Sequence, residues 1–286
     1  MSQKIFFTDL DGTLLNDQKE ITPGNQKAVD LALRAGHKIV IATGRPLSSA
    51  RIQAERLGLL REGCYIIAFN GGEIYDSSLE RSIYRKTVPL ELVAPIFAEA
   101  HRLGIHIQTF SAAEVLTEEE RPEVIDYVGR TLQTFRVVPS AGAALTEAPC
   151  KLLAIEYERR EVIEQFQRDL LEKYAGILDC YFSNESYLEI VPCGVTKGTA
   201  VRWLCDYLEI PLEHSVSAGD APNDVDMIET AHVGVAMRNS FPGVAEHSDY
   251  VTAADNNHDG AAEIIYRFLL EGGALAASRS ITRNLL

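Results

Sequence analysis

The chain has 286 residues, 46% hydrophobic and 24% charged, which is a composition typical of globular proteins and enough for two domains or one domain with a large insertion. Its net charge of −14 disfavours partners that are bound through their phosphate backbone or their anionic surface, so we expect neither nucleic acid nor membrane as a partner. No apolar run reaches the length of a membrane span, and no signal-peptide pattern opens the chain.

The first part of the chain alternates strands and helices. Short apolar runs that stop at turn residues predict buried strands, and Thr22 and Gly36 mark the start and stop of a helix between the first two of them. The predicted strands cover 4–8, 38–43 and 65–70, and the predicted helices cover 23–35 and 46–57. This alternation predicts an α/β fold with a parallel sheet that helices cover on both faces.

The middle of the chain has a different rhythm. A small hairpin is predicted over 73–75 and 83–88, and a helix over 90–103. Further on, strands over 151–157 and 187–191 flank a helix over 161–174, while the sequence between Phe110 and Pro149 reads as less regular. We interpret residues 87–190 as an inserted second domain of α+β type.

From Thr196 the first pattern resumes, so residues 1–86 and 191–286 are predicted to form one discontinuous core. Its predicted elements are a helix over 196–208, a strand ending at Asp220, a short helix from Pro222, strands over 233–237 and 250–252, and a helix over 260–270. The tail from about residue 272 has no apolar period and is predicted to be frayed.

Five cysteines are present, an odd number without any CxxC spacing. The pattern fits neither a zinc knuckle nor a disulfide framework. Buried, reduced thiols in a reducing compartment are the better interpretation, and we expect a cytoplasmic protein. The five residues are Cys64, Cys150, Cys180, Cys193 and Cys205.

Four polar clusters follow predicted strands of the core. In an open parallel sheet, ligands bind beyond the carboxyl ends of the strands, so these clusters should meet at one edge. Each cluster alone is more often a plain turn or a helix cap, and only their joint placement indicates a site. They are Asp9 with Asp11, Thr43–Gly44–Arg45, Asn70–Gly71–Gly72, and Gly219–Asp220.

Asp9 and Asp11 are two residues apart, so in an extended chain their side chains start on one face about 6 to 7 Å apart. Such a pair is tolerated if a divalent cation lies between the carboxylates, if one of them holds a proton, or if both are solvated in a turn. Asp220, followed by Asn223 and Asp224, adds a third hard oxygen ligand of the kind that Mg²⁺ prefers.

Two further segments suggest an anion. Thr43–Gly44–Arg45 precedes a helix whose first position is predicted to be Pro46, where free amides and the helix dipole favour negative charge. Lys197 lies in the first turn of another helix, where the helix dipole disfavours a positive charge by about 0.3 to 1 kcal/mol. We therefore expect an anionic neighbour that offsets this unfavourable interaction. An ordinary cap with a solvated arginine and a screened surface lysine are the alternatives.

In this order the segments Asp9–Leu15, Thr43–Arg45, Gly194–Gly198 and Gly219–Asp224 resemble the motifs of the haloacid dehalogenase superfamily of phosphatases, and most closely those of its Cof-type sugar-phosphate phosphatases. The resemblance extends from residue 5 to about 260. It implies a Rossmann-like core with an inserted α+β cap domain that closes over the site and selects the substrate. It also implies Mg²⁺ as cofactor and a small phosphorylated metabolite as substrate.

The resemblance assigns a role to each candidate residue. The catalytic set is Asp9 as nucleophile, Asp11 as general acid and base, and Thr43 with Lys197 on the transferring phosphoryl group. The Asp11 role requires a raised pKa, for which we expect burial under the closed cap to be the cause. Mg²⁺ would be held by Asp9, the backbone carbonyl of Asp11 and Asp220. The residues expected at phosphate or substrate are Thr43, Gly44, Arg45, Asn70, Lys197 and Asn223, and the supporting residues are Asn223 and Asp224.

Two other functions share parts of this chemistry. A phosphomutase forms the same aspartyl phosphate and returns the phosphoryl group to a sugar. A phosphate-storing receiver module also combines acidic residues, a Thr and a Lys. In receivers, however, the acceptor aspartate follows the third strand, and here that position is Asn70, so a monoester phosphatase is the preferred hypothesis.

Overall fold

The computed structural model describes residues 2–270. Its strands are β1 (Ile5–Thr8), β2 (Lys38–Ala42), β3 (Cys64–Ala68), β4 (Glu73–Asp76), β5 (Arg81–Arg85), β6 (His106–Phe110), β7 (Val115–Thr117), β8 (Phe135–Val137), β9 (Leu152–Ile155), β10 (Leu178–Phe182), β11 (Tyr187–Pro192), β12 (Ser215–Gly219), β13 (Val233–Ala236) and β14 (Tyr250–Val251). Its α-helices are α1 (Pro23–Arg34), α2 (Leu47–Arg56), α3 (Leu90–Arg102), α4 (Pro122–Thr131), α5 (Ala141–Ala144), α6 (Arg160–Lys173), α7 (Lys197–Tyr207), α8 (Val225–Thr230) and α9 (Gly260–Ile264). A π-helical turn over Ile265–Leu270 continues α9.

Eight strands form the first sheet, in the order β14-β13-β12-β1-β2-β3-β4-β5. The pairs from β14 to β3 are parallel, whereas β4 and β5 extend the sheet as an antiparallel hairpin. The predicted Rossmann-like parallel-sheet core is therefore confirmed, and the predicted hairpin is part of the same sheet. β1 lies between β12 and β2, so the segment after β1 starts in the middle of the sheet.

Helices cover both faces of this sheet. Because side chains alternate along a strand, Phe6 of β1 packs into the core that contains α1 and α9, while Ile5 and Phe7 pack into the core that contains α7. All three side chains are fully buried, so β1 is held rigidly from both sides.

Six strands form a second sheet, in the order β10-β11-β9-β6-β7-β8. Its pairs are antiparallel except for β7 with β8. Apolar side chains of α3, α5 and α6 pack on one face. On the other face, Phe110, Leu153 and Ile155 join the core cluster that includes Phe69 and Tyr75 of the first sheet.

The expectation of less regular structure between Phe110 and Pro149 is wrong, because β7, α4, β8 and α5 lie there. β7 and β8 have only three residues each, too few to show the alternation that identifies a strand. The left-handed residue after α4 is Leu132 rather than the usual glycine or asparagine, so the sequence lacks a stop signal for this helix.

Two element boundaries also differ from prediction. β3 ends at Ala68 rather than at Asn70, because Phe69 (φ 52°) and Asn70 (φ 55°) are left-handed and turn the chain into a 3₁₀ helix over Phe69–Gly71. Pro46 is the cap of α2 and not its first helical residue. The tail predicted to be frayed from about residue 272 lies outside the described residues.

The cysteines are all free, with Cys193 half-buried and the other four buried. Burial raises the pKa of the Cys205 thiol to about 12, which keeps it protonated and unreactive. Within residues 2–270, no helix is both long and apolar enough to cross a bilayer.

Candidate active site

The carboxyl ends of β12, β1, β2 and β3 lie side by side, because these strands are parallel neighbours. The segments after them bring together the residues that the sequence singled out. Carboxylate oxygens of Asp9, Asp220 and Asp224 all lie within 4.8 Å of one another, and all three residues are buried. Three buried acids at this distance need positive charge nearby.

Lys197 supplies one positive charge. Its side chain is fully buried, and its Nζ lies 2.6 Å from Asp9 Oδ1 and 2.5 Å from Asp224 Oδ1. Burial acts to lower the pKa of Lys197, but the charges of Asp224 and Asp9 overcome it and raise the pKa above its usual value. These carboxylates are the anionic neighbours expected for a lysine in the first turn of α7.

Both carboxylate oxygens of Asp224 accept hydrogen bonds. Its Oδ1 accepts from Lys197, while its Oδ2 accepts the backbone N–H groups of Asp220 and Ala221, each at 3.0 Å. Asp224 thereby fixes both the ammonium group and the turn that carries Asp220. This geometry fits the supporting role expected for it.

Asp220 packs directly on the loop that follows β1. Its Oδ1 accepts a hydrogen bond of 2.7 Å from Thr13 Oγ1. A Cβ atom at Gly12, where φ is 89°, would lie 2.5 Å from Asp220 Oδ2. Only glycine allows the loop to pass so close to this carboxylate.

The acidic cluster fits a divalent metal ion. Burial raises the pKa of Asp9, with Lys197 opposing it and Asp224 and Asp220 adding to it. Burial also raises the pKa of Asp220 to about 6, against the hydrogen bond from Thr13. One ammonium therefore does not neutralise the cluster, and buried carboxylate oxygens are the donors that hard divalent cations select.

Mg²⁺ should therefore stabilise the protein in a pH-dependent way. An acid whose pKa rises on folding stabilises the protein fully below its unfolded pKa, and this stabilisation is lost as the pH rises through the folded pKa. For Asp220 that interval runs from 3.8 to about 6. A divalent cation at the cluster would bind the ionised form, so we expect added Mg²⁺ to raise Tm by about 5 °C or more near pH 8 and by less than half as much near pH 5. Thermal unfolding with Mg²⁺ and with EDTA checks this, and equal shifts at both pH values would contradict it.

The expectation of a raised pKa for Asp11 is wrong. Burial acts to raise it, but hydrogen bonds and charge from Arg45 and then Lys19 lower the pKa of Asp11 to about 2. Arg45 donates from Nε and from its terminal nitrogen to the two carboxylate oxygens at 2.7 and 2.9 Å, and Lys19 Nζ lies 2.8 Å away. Arg45 is therefore engaged with Asp11 in this structure, and its contact with phosphate stays a prediction.

The remaining predicted residues line the same edge. Thr43 is buried and its Oγ1 accepts from the backbone N–H of Arg45 at 3.2 Å. Asn223 donates from Nδ2 to Asn70 Oδ1 at 3.1 Å, so it supports Asn70 rather than a carboxylate. A Cβ at Gly44 would lie 3.2 Å from Asn70 Nδ2, which is buried and forms no hydrogen bond of normal geometry with any described residue.

Sequence reasoning missed Lys151 and Glu189 of the second sheet. Lys151 Nζ donates to the backbone carbonyl of Gly44 at 3.0 Å and lies 2.8 Å from Glu189 Oε2. Both side chains are buried. Lys151 and Glu189 are each the only charged residue in a short, mostly apolar segment, KLLAI and YLEIV respectively. Because charged side chains are rarely buried without a partner, this pattern could have indicated that the two residues pair.

A cavity of about 620 Å³ lies next to this site, between α2, the β4–β5 hairpin and the second sheet. Phe69 and Phe110, whose ring centroids are 5.7 Å apart, both line it. None of Asp9, Asp220 and Lys197 does. The acidic cluster and this cavity are therefore separate features of the structure.

The fold and the motifs match known proteins. Residues 6–265 match the family described as haloacid dehalogenase-like hydrolase. The 5-amino-6-(5-phospho-D-ribitylamino)uracil phosphatase YcsE of Bacillus subtilis (strain 168) is 29% identical over 273 residues, covering 93% of this chain and 96% of that protein.

Two solved structures have the same architecture. One is a haloacid dehalogenase-like hydrolase from Bacteroides thetaiotaomicron, with a TM-score of 0.86 at 29% identity, covering 93% of this chain and 99% of that chain. The other is a Thermotoga maritima protein, with a TM-score of 0.81 at 30% identity, covering 93% of this chain and 97% of that chain. These matches confirm the predicted enzyme class, a phosphoric monoester hydrolase. The chain belongs to the haloacid dehalogenase-like hydrolase family.

Proposed function

We propose that this enzyme is a Mg²⁺-dependent phosphatase that hydrolyses small phosphate monoesters, sugar phosphates among them, through an aspartyl phosphate on Asp9. One observation carries the proposal: the buried carboxylates of Asp9, Asp220 and Asp224 lie within 4.8 Å of one another around Lys197. Such a cluster concentrates negative charge at the place where the negatively charged phosphoryl group would bind. A cation is therefore needed to reduce the repulsion between them.

Asp9 is the nucleophile in this proposal. Its Oδ1 is held by Lys197 at 2.6 Å, which leaves Oδ2 to attack phosphorus in line while the bond to the leaving alcohol breaks. Lys197, the Thr43 hydroxyl and the Gly44 amide stabilise the charge on the phosphoryl oxygens. Asp9, Asp220 and the backbone carbonyl of Asp11 would hold Mg²⁺, which would supply positive charge against the repulsion between carboxylate and phosphate.

Asp11 is the general acid and base in this proposal. It protonates the leaving alcohol and then removes a proton from the water that hydrolyses the aspartyl phosphate. In the structure it is ionised and paired with Arg45 and Lys19. Taking up a proton therefore requires these cations to move away from Asp11, and Lys19, at 53% side-chain exposure, is free to do so.

The second sheet acts as the cap domain in this proposal, with residues 87–190 as the cap and 1–86 with 191–286 as the catalytic core. Its strands run from His106 to Pro192, so β11 extends two residues beyond the predicted boundary at 190. Three hydrogen bonds support a closed arrangement over the edge of the first sheet, from Lys151 to Gly44, from Ser49 to the Thr131 carbonyl and from Gln133 to Ser48.

The substrate class rests on chemistry and on the relative. The Bacillus subtilis protein is named for a phosphate carried on a ribityl chain, which is a small hydroxyl-bearing ester. We propose the same general class here, with the cytoplasm as location because the cysteines are free and mostly buried. Neither nucleic acid nor membrane is proposed as a partner.

Phosphate release from a panel of phosphorylated metabolites tests the function. With Mg²⁺ we expect inorganic phosphate from several sugar phosphates, and after EDTA treatment we expect the rate to fall at least about 100-fold and to return with added Mg²⁺. Isomerised sugar phosphate without phosphate release would instead favour the phosphomutase. An aspartyl phosphate that persists for many minutes in the native protein would favour the receiver function.

A further inference from the structure

The first turn of α7 is held by a carboxylate from the neighbouring helix α8. Asp226 is the second residue of α8, and its Oδ2 accepts a hydrogen bond of 3.1 Å from the backbone N–H of Gly198. The same oxygen accepts a hydrogen bond from the Thr196 hydroxyl. Since Thr196 and Gly198 flank Lys197 in the chain, one carboxylate oxygen holds both neighbours of the buried lysine.

The two helices approach each other closely at this contact. A Cβ atom at Gly198 would lie 2.2 Å from Asp226 Oδ2 and 2.6 Å from the Asp226 backbone oxygen. Because the second of these atoms belongs to the backbone, any side chain at 198 would push α7 away from α8. The glycine thus permits a contact in which the start of α7 rests directly on Asp226.

The segment that carries Asp226 also carries Asp224, so it holds Lys197 at both ends. Asp224 Oδ1 lies 2.5 Å from the Lys197 ammonium, while Asp226 binds the backbone on either side of the lysine. Asp224 also accepts the backbone N–H of Asp220 at 3.0 Å. Residues 220–226 therefore set the position of the lysine relative to two acids of the site.

Formation of α7 does not depend on Asp226, because this helix has its own cap. Thr196 Oγ1 accepts the backbone N–H of Thr199 at 3.0 Å, and Thr199 Oγ1 accepts the backbone N–H of Thr196 at 3.1 Å. This reciprocal pair is a capping box. Asp226 is exposed, so water can replace it as the acceptor for the Gly198 N–H. The contact with Asp226 therefore fixes where the first turn lies, and not whether it forms.

We propose that Asp226 is a positioning residue for the phosphatase reaction, which holds the backbone around Lys197 so that the ammonium meets Asp9 and the phosphoryl group together. Lys197 Nζ lies 2.6 Å from Asp9 Oδ1, and a displacement of about 1 Å in such a site can reduce a rate about 100-fold. Asp226 acts through Lys197 and not on the substrate. This inference rests on the proposed function and adds one residue to it.

A double-mutant cycle tests whether Asp226 acts through Lys197. Asp226→Ala removes both hydrogen bonds to the first turn, and we expect kcat for the best ester of the panel to fall about 5- to 30-fold with KM within about threefold of the wild-type value. In a Lys197→Met enzyme no ammonium remains to be positioned. There the same substitution should lower kcat less than about twofold.

Two further variants separate positioning from a loss of stability. Asp226→Asn keeps an oxygen that can accept both hydrogen bonds, so it should recover most of kcat. Asp76→Ala is the matched control, because Asp76 also accepts backbone N–H groups, those of Ser78 and Leu79, and pairs with Tyr65 near the start of β3, at the opposite edge of the sheet. Both alanine variants should lower Tm by about 2 to 4 °C, and only Asp226→Ala should lower kcat.

Equal losses of kcat from Asp226→Ala in the wild-type and Lys197→Met enzymes would overturn the inference, because Asp226 would then act independently of the lysine. An Asp226→Ala enzyme with unchanged kcat, or an equal loss in Asp76→Ala, would overturn it as well. In each of these cases the wild-type enzyme still releases phosphate, so the positioning role alone is refuted. If the wild-type enzyme releases no phosphate from any ester, the proposed function itself is refuted.

Discussion

Asp9→Asn should abolish turnover and leave the metal-free protein at least as stable as the wild type. Asparagine keeps the shape of the side chain but removes the nucleophilic carboxylate, so we expect kcat to fall at least about 10³-fold. Burial raises the pKa of Asp9, which means that its ionised form destabilises the fold. A neutral side chain relieves that cost, as is common where function opposes stability. Phosphate release and thermal unfolding in EDTA measure the two effects.

Asp206→Asn is the control for this variant. Asp206 is an exposed residue of α7, so the same chemical change there should alter neither kcat nor Tm. When the wild-type reaction is quenched rapidly, we expect to find a phosphoryl group on the peptide that contains Asp9. An Asp9→Asn enzyme that keeps more than about a tenth of its activity would exclude Asp9 as the nucleophile.

Lys197→Met should cost both stability and activity. Methionine fills much of the volume of the lysine side chain but leaves Asp9 and Asp224 without the ammonium that contacts both. Removing one partner of a buried ion pair costs about 3 to 5 kcal/mol, and losing a positive charge at the phosphoryl site costs about 10²-fold or more in kcat. The stability loss should shrink at low pH, where the carboxylates take up protons. Denaturant unfolding in EDTA at several pH values measures it.

The double variant Lys197→Met/Asp224→Asn separates the two losses. An asparagine at 224 can still accept the backbone N–H groups of Asp220 and Ala221 through its carbonyl oxygen, while its buried charge is gone. We therefore expect it to regain part of the stability and none of the activity. If the free energy of unfolding of Lys197→Met lies within about 1 kcal/mol of the wild-type value and kcat falls less than threefold, Lys197 has no role in the site.

The convergence at the sheet edge could be predicted because it depends on local signals. Turn residues mark the ends of the strands, and parallel strands place their carboxyl ends together. Once the order of the strands was known, the convergence of Asp9, Thr43, Asn70 and Asp220 could be predicted. Lys197 was identifiable because a lysine in the first turn opposes the helix dipole. The structure places two carboxylates beside it.

The failures concern contacts between segments that are distant in the chain. Nothing near Asp11 indicates that Arg45, 34 residues away, would pair with it and lower its pKa. Lys151 contacts Gly44 from 107 residues away, and only the packing of one sheet on the other decides this. The short strands β7 and β8 exist because they pair with neighbours, so their own sequences carry too little pattern to identify them.

The position of β1 has a consequence for synthesis of the protein. β1 pairs on one side with β2, which follows soon after it, and on the other side with β12, which begins at Ser215. While the ribosome is still making the intervening segments, one edge of this mostly apolar strand has no partner, and such edges promote aggregation. The nascent chain therefore carries Asp9 next to an open strand edge until β12 (Ser215–Gly219) has been made, which makes this interval the one in which chaperones would be needed.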